Sequence, residues 1–152
     1  MVYMRLLILA LIATAVAPAL DLCVQNEAGM DAQTVMLTVH HVRRYRGELR
    51  TEIVARCSAD SVRVTFSGYP GVGHPSDALG ATRILKGRIL PEVQIFTKSV
   101  IEMLPGAALE AHARALAKVV AHELSHYLQQ RRGHDDGLDR PEFDRQALVA
   151  MH

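Results

Sequence analysis

Neither charge is in excess in this chain: 17 Lys and Arg stand against 16 Asp and Glu over 152 residues. A nucleic-acid-binding surface needs a basic footprint, and no such footprint is available. The basic run Arg43-Arg44-Tyr45-Arg46 closes a predicted helix, where cations favour the negative end of the dipole and remain solvated. Internal repeats and low-complexity tracts are also lacking, which excludes a solenoid.

Long apolar runs are missing too. The uncharged stretch Leu6 to Val16 falls short of the ~20 residues a membrane span needs, so no stable membrane association is expected. With Arg5 before it and Ala17-Pro18-Ala19 after it, the stretch has the layout of a signal peptide. Cleavage is expected after Ala19, sending a secreted or periplasmic chain on its way. An uncleaved anchor is the alternative. A lipid-modified Cys23 fits less well, because Leu20-Asp21-Leu22 lacks the small residues such a site requires. Residues 20–152 are enough for one domain and too few for two. Cysteine is scarce: Cys23 and Cys57 have no ligand spacing to any histidine motif. In an exported chain they are expected to pair, stabilising a small domain by roughly 2–4 kcal/mol; two free thiols are the alternative.

A further absence is informative. From Ala107 to Gln130 there is no Gly or Pro, and Pro105-Gly106 punctuates the chain just before, so a long helix is predicted. Leu109, Ala113, Leu116, Val120, Leu124 and Leu128 recur at three- and four-residue spacing as its buried stripe. Within it lies His122-Glu123-Leu124-Ser125-His126. At ~100° and ~1.5 Å per residue the two histidines sit one turn apart on nearly one meridian, with Glu123 ~60° to one side of His126. Two imidazoles can then grip one cation, while the carboxylate can reach a water on it and take its proton. This is the His-Glu-x-x-His arrangement. On the helical wheel Glu123 falls inside the apolar stripe, where an unpartnered carboxylate is costly. A metal with its water is one partner; an arginine, or exposure of the whole face, is the other reading.

A catalytic zinc site wants a third protein ligand. Beyond Gln129-Gln130-Arg131-Arg132, Gly133 is suited to end the helix in the left-handed conformation, and His134 follows at once. His134 is therefore the expected third ligand. Asp135, Asp136, Asp139 and Glu142 offer oxygens in the same stretch and stay open as alternatives.

With this motif the chain resembles small secreted zincins, and among them short bacterial metzincin-like proteins. In those the motif is followed by a glycine turn, a third histidine and a Gly-Leu-Met-Arg segment. The matching stretch here reads His134-Asp135-Asp136-Gly137-Leu138-Asp139-Arg140-Pro141-Glu142-Phe143. There are two departures. Metzincins carry Gly three and His six residues after the second motif histidine, where this chain has Gln129 and Arg132, so the third ligand is displaced by two residues and a longer helix is implied. Asp139 stands where the related short proteins place methionine beneath the metal. The resemblance implies an α+β, zincin-like fold with a small mixed β-sheet packed on a long active-site helix. It also implies a secreted endopeptidase acting on peptide or protein substrates, with Zn2+ held by His122, His126 and His134 and with Glu123 as general base. Asp139 and the displaced ligand leave an alternative, a non-catalytic secreted zinc-binding or interaction module. A disulfide-stapled interaction domain without metal is a third.

The remaining chain reads as scaffold. Leu20, Leu22 and Val24 alternate as a strand, and Asp31 caps a helix to about Tyr45 whose inner stripe is Val35, Val39 and Val42. Gly47 ends it, a second strand runs from Glu52 to Cys57, and Val62, Val64 and Phe66 mark a third. Strand, crossover helix and strand predict a parallel pair. After a Gly/Pro-rich loop from Ser67 to Pro75, Val93 to Phe96 forms another strand and Lys98 to Leu104 a short helix or turn. Ile89 to Phe96 is the expected edge strand, along which a peptide can add by main-chain hydrogen bonds. His40, His41, His74 and His112 are left over; adjacent His40 and His41 diverge by ~100° and do not share a metal easily.

Overall fold

The first strand pairs its main-chain groups with a neighbour along each of its two edges. In the computed structural model, which describes residues 19–47, 50–54, 56–132 and 143–150, β1 (Ala19–Asn26) lies between β2 (Arg50–Val54) and β3 (Val62–Ser67), parallel to both. Helix α1 (Ala32–Tyr45) makes the β1-to-β2 crossover, as the strand-helix-strand order requires. β3 continues in parallel to β5 (Arg88–Phe96), and β4 (Gly80–Leu85) runs antiparallel on its far side. The strand order is β2-β1-β3-β5-β4, a mixed sheet in an α+β chain. The expected leader, residues 1–19, lies outside the described residues apart from Ala19, where β1 begins.

Two expectations about the sheet are corrected. The strand at Val93 starts five residues earlier, at Arg88, and it is interior, so Ile89 to Phe96 is not the edge. The edge on that side is β4, which hydropathy alternation did not reveal; β2 is the edge on the other. Lys86 and Gly87 join it to β5 with φ of 48° and 84°, the double left-handed turn whose twist suits a two-residue hairpin.

Val62, Val64 and Phe66 of β3 and Val93 and Ile95 of β5 point to one face and form the core with helix α3 (Leu109–Gln129). Leu116, Val119, Val120 and Leu124 are its contribution. The middle of α3 is buried almost all round, for it packs against β4 and β5, α1 and the C-terminal α4 (Arg145–Val149). Ala113, Ala115, Ala117 and Ala121 let those elements approach closely. The predicted stripe is corrected at its ends: Leu109 is 39% and Leu128 38% exposed. The helix also stops earlier than Gly133, because Gln130 itself takes the left-handed conformation (φ 50°, ψ 35°). Its amide compensates for that strain: Nε2 donates to the Ile89 carbonyl at 3.0 Å, and Oε1 accepts from the Ile89 N–H at 3.2 Å. The end of α3 is thereby tied to the start of β5. Between β5 and α3 lies the short helix α2 (Thr97–Glu102).

Two polar devices fix the remaining helices. Lys118, buried on α3, donates from Nζ to the carbonyls of Ala147, at 2.6 Å, and Ala150. It thus caps the C-terminal end of α4, whose Leu148 enters the core. Burial, and then Arg114, lower the Lys118 pKa from its ordinary value. At α1, Asp31 Oδ1 accepts from the Thr34 N–H at 2.9 Å, and the Thr34 hydroxyl and N–H hold its carboxyl below the usual range. A depressed folded pKa contributes stability that is complete above the unfolded value of about 3.9 and is lost as pH falls through the lower folded value. Asp31→Asn keeps a capping oxygen without the charge. Urea unfolding from pH 6 to pH 2 is expected to show a shallower acid-side loss for the variant than for the native chain.

The two cysteines are joined. Cys23 on β1 and Cys57, just beyond β2, form a disulfide with Cα atoms 5.1 Å apart, closing a loop around α1.

Candidate functional site

One helical turn separates His122 from His126, and the packing around α3 decides what that turn presents. His122 is 5% exposed, whereas His126, nearer the end of the helix, is half-buried. Their Nε2 atoms face each other at 3.1 Å and their rings stand at 90°, centroids 4.7 Å apart. Beyond the helix end the Arg131 carbonyl lies 2.8 Å from His126 Nδ1. A carbonyl only accepts, so Nδ1 carries the hydrogen and, in the neutral ring, the Nε2 lone pair is left pointing at His122. Phe143 packs edge-on against the His122 ring at 5.2 Å. Arg131 and Phe143, which lie on either side of segment 133–142 in the chain, therefore each touch one of the two histidines.

Glu123 is 7% exposed and turns to the sheet. Its Oε2 accepts a 2.6 Å hydrogen bond from the Thr82 hydroxyl on β4, which also lies 3.2 Å from the Glu123 main-chain oxygen. Burial pushes the carboxyl above its ordinary range, and the Thr82 hydroxyl and then His126 draw it back. Close approach of β4 depends on Gly80. A Cβ there would meet Val119 Cγ1 at 2.9 Å and Glu123 Cγ and Oε1 at 3.0 Å.

These groups open into a cleft of about 850 Å³. Besides His122, Glu123 and His126 it is lined by His74, Leu79, Gly80, Glu102, Met103 and Phe143. The helix-strand placement of Glu123 inside the apolar stripe and of His126 at its margin agrees with the sequence pattern. His74, one of the leftover histidines, reaches the cleft with its ring against Phe96 at 5.2 Å. The others are used elsewhere or exposed: His41 bonds Glu110 at 2.6 Å, His112 meets the Leu104 carbonyl at 3.0 Å, and His40 faces solvent. Arg46, expected to be solvated, instead donates from its guanidinium to Ser125 Oγ at 2.6 Å, tying α1 to the site helix.

The expectation of an assembled zinc-metalloprotease centre is corrected. Among the described residues, no group of three His, Cys, Asp or Glu is arranged to hold a metal ion. One turn of the helix supplies two rings and no third ligand among the described residues, while Glu123, the expected general base, is bonded to Thr82. The expected third ligand, His134, and its rivals Asp135, Asp136, Asp139 and Glu142 lie outside the described residues. Gly80 and Thr82 were missed with β4 itself; the Lys86-Gly87 turn was the available signal.

The donors that are described do suit a cation. Two nitrogens bound to one zinc at ~2.0–2.1 Å in tetrahedral geometry lie about 3.3 Å apart, close to the 3.1 Å between these Nε2 atoms. The Nδ1 bond to a main-chain carbonyl is the usual outer support of a ligating imidazole. Comparison with protein families, curated proteins and solved structures gives no match.

Proposed function

We propose that this chain is a secreted hydrolase of peptide bonds, related in design to the zincins. Its Zn2+ would be held by His122 and His126, with His134 as the expected third ligand. The observation that carries the reading is the convergence of two imidazole nitrogens at 3.1 Å, beside a buried carboxylate, at one wall of the cleft. A bound zinc ion would supply Lewis acidity, acidifying a water and polarising the scissile carbonyl. The chain does the rest. Glu123 accepts a proton from the attacking water and returns it to the leaving amine. Gly80 and Ala81 of the edge strand line the cleft and offer main-chain groups to an extended peptide. The Cys23–Cys57 bridge supports export to an oxidising compartment.

A second reading, a secreted zinc-binding or interaction module without turnover, is favoured by the two-ligand count among the described residues. Metal analysis of the purified protein, with zinc added back, separates the two when followed by digestion of a mixed peptide library with and without chelator. Stoichiometric zinc with chelator-sensitive cleavage is expected. Zinc without cleavage supports the binding module, and failure to take up zinc at all ends both readings.

A further inference from the structure

We propose that Thr82 is a positioning residue for Glu123, selecting which carboxylate oxygen faces the reacting water; this rests on the hydrolase reading above. A glutamate carboxylate, three rotatable bonds from its backbone, sweeps a wide arc, so a general base on a helix needs an outside group to hold it. The contact comes from a different element, the edge strand, where Thr82 pairs with Val93 of β5 and thus shares the helix-facing side of the sheet. Its hydroxyl has two acceptors within reach, Oε2 at 2.6 Å and the Glu123 carbonyl at 3.2 Å. Both belong to the same residue, so the hydroxyl hydrogen is directed at Glu123 whichever it favours. The shorter bond uses Oε2. Oε1 lies instead over Gly80, within 3.0 Å of the point a Cβ would occupy there, and both Gly80 and Glu123 line the cleft. Oε2 is thereby the anchored oxygen and Oε1 the one left to receive a proton.

The hydroxyl needs only to donate, which serine reproduces and valine, of nearly the same shape, does not. Crystal structures of the zinc-loaded native protein, Thr82→Val and Thr82→Ser give a readout independent of turnover. Glu123 is expected to keep Oε2 against residue 82 in the native and serine proteins and to leave that position in the valine variant. Kinetics on a cleaved library peptide are expected to show kcat lowered on the order of ten- to a hundredfold in Thr82→Val, with KM unchanged and Thr82→Ser restoring most of the loss. Native kcat in Thr82→Val, or an unmoved Glu123 in its structure, overturns the assignment. A rise in KM with kcat unchanged would make Thr82 a substrate contact and overturn it as well. If the native protein takes up zinc and cleaves nothing, the hydrolase reading falls, while the three structures still decide whether residue 82 holds the carboxylate.

Discussion

Glu123→Gln protein is expected to fold, to bind zinc as the native chain does, and to lose peptide cleavage by on the order of a thousandfold or more. The size follows from what general acid–base catalysis contributes, roughly 10²–10⁴ in rate. The amide is nearly the shape of the carboxylate, and its oxygen can still accept from Thr82, so the 7%-exposed site stays filled and satisfied. It cannot accept a proton at neutral pH. Zinc content should be unaffected, since Glu123 is turned to Thr82 and not to the two rings. His122→Ala is the contrasting case. It removes one of the facing nitrogens and the ring against Phe143, so both zinc and cleavage are expected to be lost. Measuring kcat per bound zinc for both variants separates the roles; a Glu123→Gln protein that cleaves at the native rate would remove Glu123 from the mechanism.

How far the letters reach depends on whether a side chain's partner is local. The α3 helix, Asp31 as its cap on α1, the parallel β1–β2 crossover and the burial of Glu123 are all consequences of spacing within one element or of a short connection. Periodicity reports such things directly. The disulfide was also within reach, because two cysteines leave a single pairing. What the pattern did not carry was the identity of the edge strand. β4 reads Gly-Ala-Thr-Arg-Ile-Leu, with its apolar residues at the exposed end and its small residues against the helix, the inverse of a strand buried by bulk. Those small residues leave the space that the Glu123 side chain occupies. The same exchange explains Gln130: a glutamine in left-handed conformation is a poor choice by local rules, and only its paired bonds to Ile89, far away in sequence, make it an acceptable helix end.

The close approach of β4 to α3 yields the other large expected effect. Gly80→Ala adds one methyl group at a position whose backbone does not need glycine, since Gly80 is not among the residues of positive φ. Any cost must therefore come from contact. The methyl would lie 2.9 Å from Val119 Cγ1 and 3.0 Å from Glu123 Cγ and Oε1, inside the range where something must move. Val119 is packed in the core, so the more mobile of the two neighbours is the Glu123 side chain, and displacing it breaks the bond to Thr82. Overpacking of this kind costs about 1–3 kcal/mol, and a misplaced base on the order of a hundredfold in rate. Gly80→Val should exceed both. Gly87→Ala serves as the matched comparison: there φ is 84° and the nearest atom to an added Cβ is Arg132 Nη2 at 3.7 Å, at the far end of the hairpin. That change is expected to cost about 1 kcal/mol through backbone strain and to leave kcat untouched. Denaturant unfolding and kcat for the two alanine variants, measured side by side, test whether the space above Gly80 is reserved for the carboxylate. Equal kcat in both would mean that the strand can retreat without disturbing it.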